Sequence, residues 1–296
     1  MAVSPDLSSN RYSTRVANSA VHDLLVRSHR LLVITGAGIS TNSGISDYRD
    51  AAGQWKRAAP VQHQDFMASH RWRQRYWARS QLGYPEFLRA QPNPAHHILA
   101  DWERQGRLVG LITQNVDRLH QRAGHQRVID LHGRLDQVIC TGCARVVPRD
   151  NLQRFLDQHN QANRSQHFVP GADGDAEVPD AEYAAIQVPV CSDCGGILKP
   201  HVVFFGDSVP QPVVQQAYDW VDQADLVLVV GTSLMVFSSF RFVRRAHAAG
   251  TPVIAVNQGV TRADELLSGK VDGDCAEVLT ALDKLIEITP HADLTR

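Results

Sequence analysis

Several features that would assign a chain to a broad class are missing here. Neither sign of charge is in excess: 30 Lys and Arg stand against 31 Asp and Glu in 296 residues, a formal net charge of −1. No global field draws such a chain to DNA or to an anionic membrane, so recognition of a charged partner has to be local. No run of 18 apolar residues occurs, which leaves no candidate for a membrane-spanning helix. The first twenty residues, MAVSPDLSSNRYSTRVANSA, hold no apolar stretch that could serve as the core of a signal peptide. They read as a disordered leader, with tails expected over 1–14 and 291–296; their Ser and Arg also admit an organelle transit peptide. A cytoplasmic setting follows by default. Five cysteines are too few and too clustered for a secreted disulfide scaffold. No internal repeat is visible.

What is present is an ordinary globular composition, 43% hydrophobic and 21% charged. Five short apolar runs end in polar or glycine-rich segments: Leu31–Thr35 before GAGIS, Leu108–Thr113 before QNVD, Val202–Phe205 before GD, Leu226–Val230 before GTS, and Pro252–Val256 before NQG. Such runs read as strands buried on both faces. Helical patterns at Val16–Ser28, Pro94–Gln105, Val213–Ala224 and Phe240–Ala249 alternate with them. The alternation predicts an α/β fold with a Rossmann-like, doubly wound parallel sheet. The polar loops all follow the carboxyl ends of strands, where ligands bind in open α/β sheets. Residues 51–93, helical and rich in Arg, Gln, Trp and Tyr, and residues 137–199 interrupt the pattern. They read as two insertions forming a smaller module, with 15–50, 94–136 and 200–290 as the nucleotide-binding domain.

Three constellations carry chemistry. Cys140 and Cys143 form one Cys-x-x-Cys, and Cys191 and Cys194 a second. Four thiolates suit tetrahedral zinc and leave no open position, so one structural Zn2+ is expected. The strand ending at Thr35 runs into Gly36, Ala37, Gly38 and Ser40, where bare backbone could approach a pyrophosphate. A tight glycine turn that binds nothing has the same look, but Gly231, Thr232 and Ser233 after another strand, and Asn257 after a third, favour a dinucleotide. Gln114, Asn115 and Asp117 follow a buried strand, where polar side chains need partners. His120 and His132 lie close by in sequence, and histidine is the usual general base near neutral pH. Either could instead be a satisfied structural residue; the neighbouring loops favour a catalytic role. His132 stands beside Gly133, which leaves room for a substrate.

GAGIS at 36–40, GISDYR at 44–49, TQNVDRLH at 113–120, LHG at 131–133, the paired Cys-x-x-Cys, VVFFGD at 202–207, GTSL at 231–234 and VNQG at 256–259 together resemble the sirtuin family, in its order, over residues 20–285. The segments DYR, QPNPAHH, RQRYWAR and LKPHVVFFGD resemble its class II branch, which includes a mitochondrial lipoamidase and ADP-ribosyltransferase. The resemblance implies an NAD-dependent protein lysine deacylase, with NAD+ as co-substrate. It further implies that the acyl group passes to ADP-ribose as nicotinamide leaves. Acylated-lysine proteins or peptides would be its partners, with neither nucleic acid nor membrane, and the enzyme would act as a monomer.

Carried over position by position, the catalytic residues are His132, as general base toward a ribose hydroxyl, and Asn115. Gly36, Ala37, Gly38, Ser40, Asp47, Tyr48, Arg49, Gln114, Asn115, Asp117, Gly231, Thr232, Ser233, Asn257, Gly259 and Cys275 would bind the cofactor. Cys275 alone reads as a core cysteine. Val203, Phe204 and Gly206 would pair with the substrate peptide as an added strand.

Ser46 stands where the family usually has Pro, which frees φ in the cofactor loop. Tyr76 and Arg79 match a Tyr-x-x-Arg pair that reads acidic acyl groups in some class II members. The competing reading is a solvated basic helix with Trp72, Tyr76 and Trp77 packed inward. Mono-ADP-ribosyl transfer at the same site remains an alternative. A dehydrogenase fits less well, because no acidic residue ends the second strand and the QNVD loop has no role in hydride transfer. A zinc-ribbon module binding nucleic acid through Arg71, Arg73, Arg75 and Arg79 conflicts with the balanced charge.

Overall fold

The computed structural model describes residues 19–56, 60–165, 169–170, 176–177 and 180–288. The leader expected over 1–14 and the tail over 291–296 lie outside the described residues. Helix α1 covers 19–27, and strand β1 is Leu31–Thr35. Helices α2 (His63–Ala68), α3 (His70–Arg89) and α4 (Pro94–Arg104) lead to β2 (Leu108–Thr113), α5 (Leu119–Arg122) and β3 (Val128–Asp130). Next come β4 (Gly133–Cys140), β5 (Val146–Pro148), α6 (Arg149–His159) and a short pair, β6 (Val169–Pro170) with β7 (Ala176–Glu177). The chain ends with β8 (Leu198–Val202), α7 (Gln211–Gln223), β9 (Leu226–Val230), α8 (Phe237–Ala248), β10 (Val253–Val256), β11 (Gly269–Val271) and α9 (Cys275–Ile288).

Six strands form a parallel sheet in the order β11-β10-β9-β1-β2-β3. Alternate side chains of β1 face opposite layers. Leu31 and Val33 pack with Val21 and Leu25 of α1, Leu99 and Trp102 of α4, and Leu279 and Leu282 of α9. Leu32 and Ile34 pack with Val214, Ala217 and Trp220 of α7 and Phe242 and Val243 of α8. Both faces of every central strand are therefore covered, which is why these strands read as unbroken apolar runs rather than alternating ones. The chain builds outward from β1 on one side and from β9 on the other. The reversal of strand order falls between them, and ligands bind at such switch points.

A second sheet, antiparallel in the order β5-β4-β8, ends at Cys140 on β4 and shares a core with α2, α3 and α6. Its core joins Phe66, Tyr76 and Trp77 to Val138, Leu152, Leu156 and Leu198. The Val202–Phe205 run does not supply a strand of the parallel sheet. Its pairing partner is β4, through Gly133↔Val202, and the strand is Leu198–Val202. The apolar signal at 202–205 comes instead from Phe204, which joins the Phe66 cluster, and from Val202, which packs beside Ile45 and Leu135. The two outer strands β3 and β11 are only three residues long, too short to show periodicity. Among the described residues, no helix is long and apolar enough to cross a membrane.

Gly110 marks where β2 meets α7: a Cβ there would lie 2.5 Å from the ring of Trp220. Gly110→Ala is expected to force the indole aside and cost about 1–3 kcal/mol. In urea titrations this should lower the midpoint while leaving the slope unchanged; an unaltered midpoint would show that the helix gives way freely.

Candidate active site

The geometry of the site begins at the switch point, where the loop after β1 touches the loop after β9. Gly38 N–H donates to the Gly231 carbonyl at 2.8 Å. A Cβ on Gly36 would sit 2.6 Å from Thr232 Cβ, and one on Gly38 would sit 2.9 Å from the Gly231 oxygen. The glycines are thus required first by contact between the two loops. Above this contact lies a cavity of about 970 Å³. Its walls come from every loop the sequence singled out. Gly36, Ala37, Gly38 and Ser40 line it, as do Gln114, Asn115 and Asp117, then Gly231, Thr232 and Ser233, and Asn257. His132 and the segment holding Val203, Phe204 and Gly206 close it from the antiparallel sheet. Asp47, Tyr48 and Arg49 form a further wall, folded back by a bridge between Arg49 and Trp55.

The QNVD side chains find partners within the protein. Gln114 Nε2 donates to Thr232 Oγ1 at 2.8 Å and to the Thr35 carbonyl at 3.2 Å, while its Oε1 accepts from Ser239 Oγ at 2.9 Å. Asn115 Nδ2 donates to the Gly36 carbonyl at 3.0 Å and to Ser40 Oγ at 3.1 Å. Ser40 Oγ donates in turn to Asp117 at 2.7 Å. Burial raises the Asp117 pKa above its ordinary value, against the bonds from Leu119 N–H and Ser40. These amides therefore lock the loops after β1, β2 and β9 to one another, a role the sequence alone did not disclose.

His132 is held at both ring nitrogens. Nδ1 lies 3.1 Å from the Gln114 carbonyl and Nε2 lies 2.7 Å from Ser238 Oγ. A carbonyl can only accept, so Nδ1 carries the proton and Nε2 presents its lone pair. Burial lowers the His132 pKa to about 4; the Gln114 carbonyl opposes the shift and the charge of Arg241 adds to it. The ring is neutral at pH 7, the state a base needs. The His132 carbonyl also receives Val203 N–H at 2.8 Å. Gly133 has φ +80°, and a Cβ there would lie 2.2 Å from the His201 carbonyl. That glycine is demanded by the β4–β8 pairing and not, as the sequence suggested, by room for a substrate.

Four expected site residues stand apart from the cavity. Cys275 is buried at the start of α9 beside the Val256 carbonyl, and burial raises its pKa to about 12. Gly259 has φ +74° and lets Ala51 approach, its absent Cβ falling 2.1 Å from the Ala51 oxygen. Tyr76 packs edge-on against Phe66, Trp77 and Phe204, and neither it nor Arg79 is part of the cavity wall. The inward-packed reading of that helix holds for Tyr76 and Trp77, both buried. His120 lies beneath the site rather than in it, its Nε2 2.9 Å from Thr35 Oγ1. Sequence reasoning missed Ser238, Ser239 and Arg241; a serine pair at the start of a helix just after GTSL was the available signal.

The four Sγ atoms of Cys140, Cys143, Cys191 and Cys194 lie within 4.8 Å of one another, with 3.5 Å between Cys140 and Cys194 and 3.7 Å between Cys143 and Cys191. No disulfide joins them.

Residues 36–238 match the Sir2 family. The chain belongs to that family. Relatives of this sirtuin include “NAD-dependent protein deacetylase 2” of Bradyrhizobium diazoefficiens, 52% identical over 90% of this chain and 98% of the relative. The bovine “NAD-dependent protein lipoamidase sirtuin-4, mitochondrial” is 47% identical over 86% of this chain and 82% of its own length. Among solved structures, “Sir2-p53 peptide-NAD+” superposes with a TM-score of 0.72 at 31% identity, over 90% of this chain and 97% of that one.

Beneath the sirtuin cavity, His96, His120 and His125 form a buried row, with ring centroids 4.8 Å and 5.3 Å apart. Burial depresses all three pKa values, that of His96 to about 3, with mutual repulsion adding to the shift at His96 and His120. The folded protein refuses protons that the unfolded chain accepts near pH 6.5. Stability is therefore full above that pH and declines as pH falls below it. Each such histidine should steepen the decline by up to about 1.4 kcal/mol per pH unit. Denaturant titrations at pH 8, 6 and 5 measure this; a stability flat across that range would show that the row is charged in the native state.

Proposed function

We propose that His132 is the general base of this enzyme and that the loops after β1, β2, β9 and β10 hold its dinucleotide. The protein is an NAD-dependent protein deacylase, which removes acyl groups from lysine with NAD+ as co-substrate. The observation that carries the assignment of the base is the neutral His132 ring, with Nε2 presented to the cavity and Nδ1 fixed by the Gln114 carbonyl. When bound, NAD+ supplies a ribose carbon from which nicotinamide can depart. This chain supplies the surroundings. The loops Gly36–Ser40 and Gly231–Ser233 would take the pyrophosphate at the switch point, and Asn257 would meet the adenosine ribose. Gln114 and Asn115 would hold the nicotinamide ribose and Asp117 the nicotinamide amide, and Nε2 of His132 would take the proton of a ribose hydroxyl once Ser238 yields its place. The wall of Tyr48, Arg49 and Phe204 would keep water from the sugar once nicotinamide leaves. Val203, Phe204 and Gly206 offer the edge along which a substrate peptide pairs.

The same reading divides the chain into a nucleotide-binding domain, 15–50, 94–136 and 200–290, and a smaller domain, 51–93 with 137–199. It places the enzyme in the class II branch, near the lipoamidase type, a placement supported by the 47% identity to the bovine relative. A reducing, cytoplasmic setting agrees with the free cysteine cluster. Cys140, Cys143, Cys191 and Cys194 would hold one zinc: thiolates about 2.3 Å from a tetrahedral ion stand roughly 3.8 Å apart, close to the spacing here. With four thiolates the ion would be purely structural.

His132→Ala is expected to keep NAD affinity and lose turnover by about 10²–10⁴-fold. Calorimetric titration with NAD+ and mass spectrometry of acyl-peptide reactions check it, and wild-type turnover in the variant would remove His132 from the role. For the metal, the purified chain should carry one zinc, and Cys143→Ser should lose it together with several degrees of melting temperature. Native mass spectrometry showing a metal-free, disulfide-linked chain would overturn the assignment.

A further inference from the structure

Charge on the cavity wall is matched almost everywhere. Lys56 pairs with Asp47, and Asp207 pairs with Lys199 and His63. Arg49 donates to the Gly53 carbonyl at 2.8 Å and lies over the Trp55 ring. Asp117 is engaged by Ser40 and by Leu119 N–H.

Arg241 is the exception. It lines the cavity from α8, yet its Nε is buried without a hydrogen-bond partner and no carboxylate of a described residue pairs with it. The centre of the Phe237 ring lies 5.7 Å from its guanidinium carbon. Leaving a buried donor unsatisfied costs free energy, so an arginine held this way is well set to receive an anion.

Position narrows which anion. Arg241 is three residues beyond Ser238, one helical turn along the same face of α8. Ser238 meets the His132 ring at 2.7 Å. The guanidinium therefore shares the base's end of the cavity, while the glycine loop that would take phosphate lies at the β1–β9 junction. Val214 of α7 also lines the cavity, giving an apolar wall for methylene groups.

We infer that Arg241 is a specificity-determining residue that binds the distal carboxylate of a dicarboxylic acyl group on lysine, such as succinyl or glutaryl, with the chain lying along Val214. The inference rests on the deacylase reading of the same cavity and names a cation other than Arg79, which does not reach it. Dinucleotide phosphate is the other source of negative charge, and the test separates the two.

The test compares kcat/KM for succinyl-lysine and acetyl-lysine peptides in the wild type, Arg241→Met and Arg241→Lys. Loss of the arginine also relieves the charge that depresses the His132 pKa. That effect bears on both substrates alike and cancels in their ratio. Arg241→Met is expected to lower the succinyl-to-acetyl ratio by about 10–100-fold; Arg241→Lys should recover part of it. A ratio unchanged within twofold overturns the inference. So does a raised KM for NAD+ with an unchanged ratio, which would assign the cation to phosphate. Direct binding of succinyl-lysine and butyryl-lysine peptides without NAD+ gives a second readout. Selective loss of succinyl binding in Arg241→Met supports the site even if the wild type released no acyl group, an outcome that would count against the deacylase reading alone. Equal loss of both peptides overturns the site.

Discussion

The contact between two glycine loops, Gly38 N–H on the Gly231 carbonyl, is the constraint on which the site depends. It joins the two strands from which the parallel sheet grows in opposite directions. Both loops approach closely because Gly36 and Gly38 have no side chain, and a single Cβ at either would meet Thr232 or Gly231 at less than 3 Å. Gln114 then ties the third loop to the same point through Thr232 and Thr35. The cavity floor is thus a hydrogen-bonded junction of three segments, in which the bonds from Gln114 span 79 and 118 residues of sequence, and its rigidity comes from tertiary packing. Preorganised dipoles of this kind are effective because they need not reorient during reaction.

Much of this was legible from residue patterns. Strands β1, β2 and β9 coincide with apolar runs because both of their faces are buried, so every position obeys one rule. The cysteine cluster was legible because each Cys-x-x-Cys spacing is local. The Val202–Phe205 run misled for the opposite reason. Its apolar residues serve two different clusters, and its hydrogen bonds go to β4, a partner about seventy residues away that composition does not reveal. Strands β3 and β11 lie at the sheet edges and are only three residues long, below the length at which a period can be seen.

Site residues divide along the same line. Those in strand-end loops, such as Asn115, Ser233 and Asn257, were legible because topology alone sends such loops to one place. Tyr76 was ambiguous because an aromatic at helical spacing serves a core or a pocket equally well, and the Phe66–Trp77–Phe204 cluster decided for the core. Ser238 and Arg241 escaped notice because they sit on a helix whose pattern reads as amphipathic and nothing more. Only the position of His132, a hundred residues upstream, gives them chemical meaning.

Gly133 has a consequence for anyone wishing to reshape this enzyme. The position beside His132 is a tempting one to randomise, because His132 lines the cavity. The backbone of the neighbouring strand already fills that space, with the His201 oxygen where the first carbon would go. Libraries built there would mostly sample broken sheets. Substrate scope is better explored from α8, whose side chains line the cavity while the pairing of β4 with β8 is left intact.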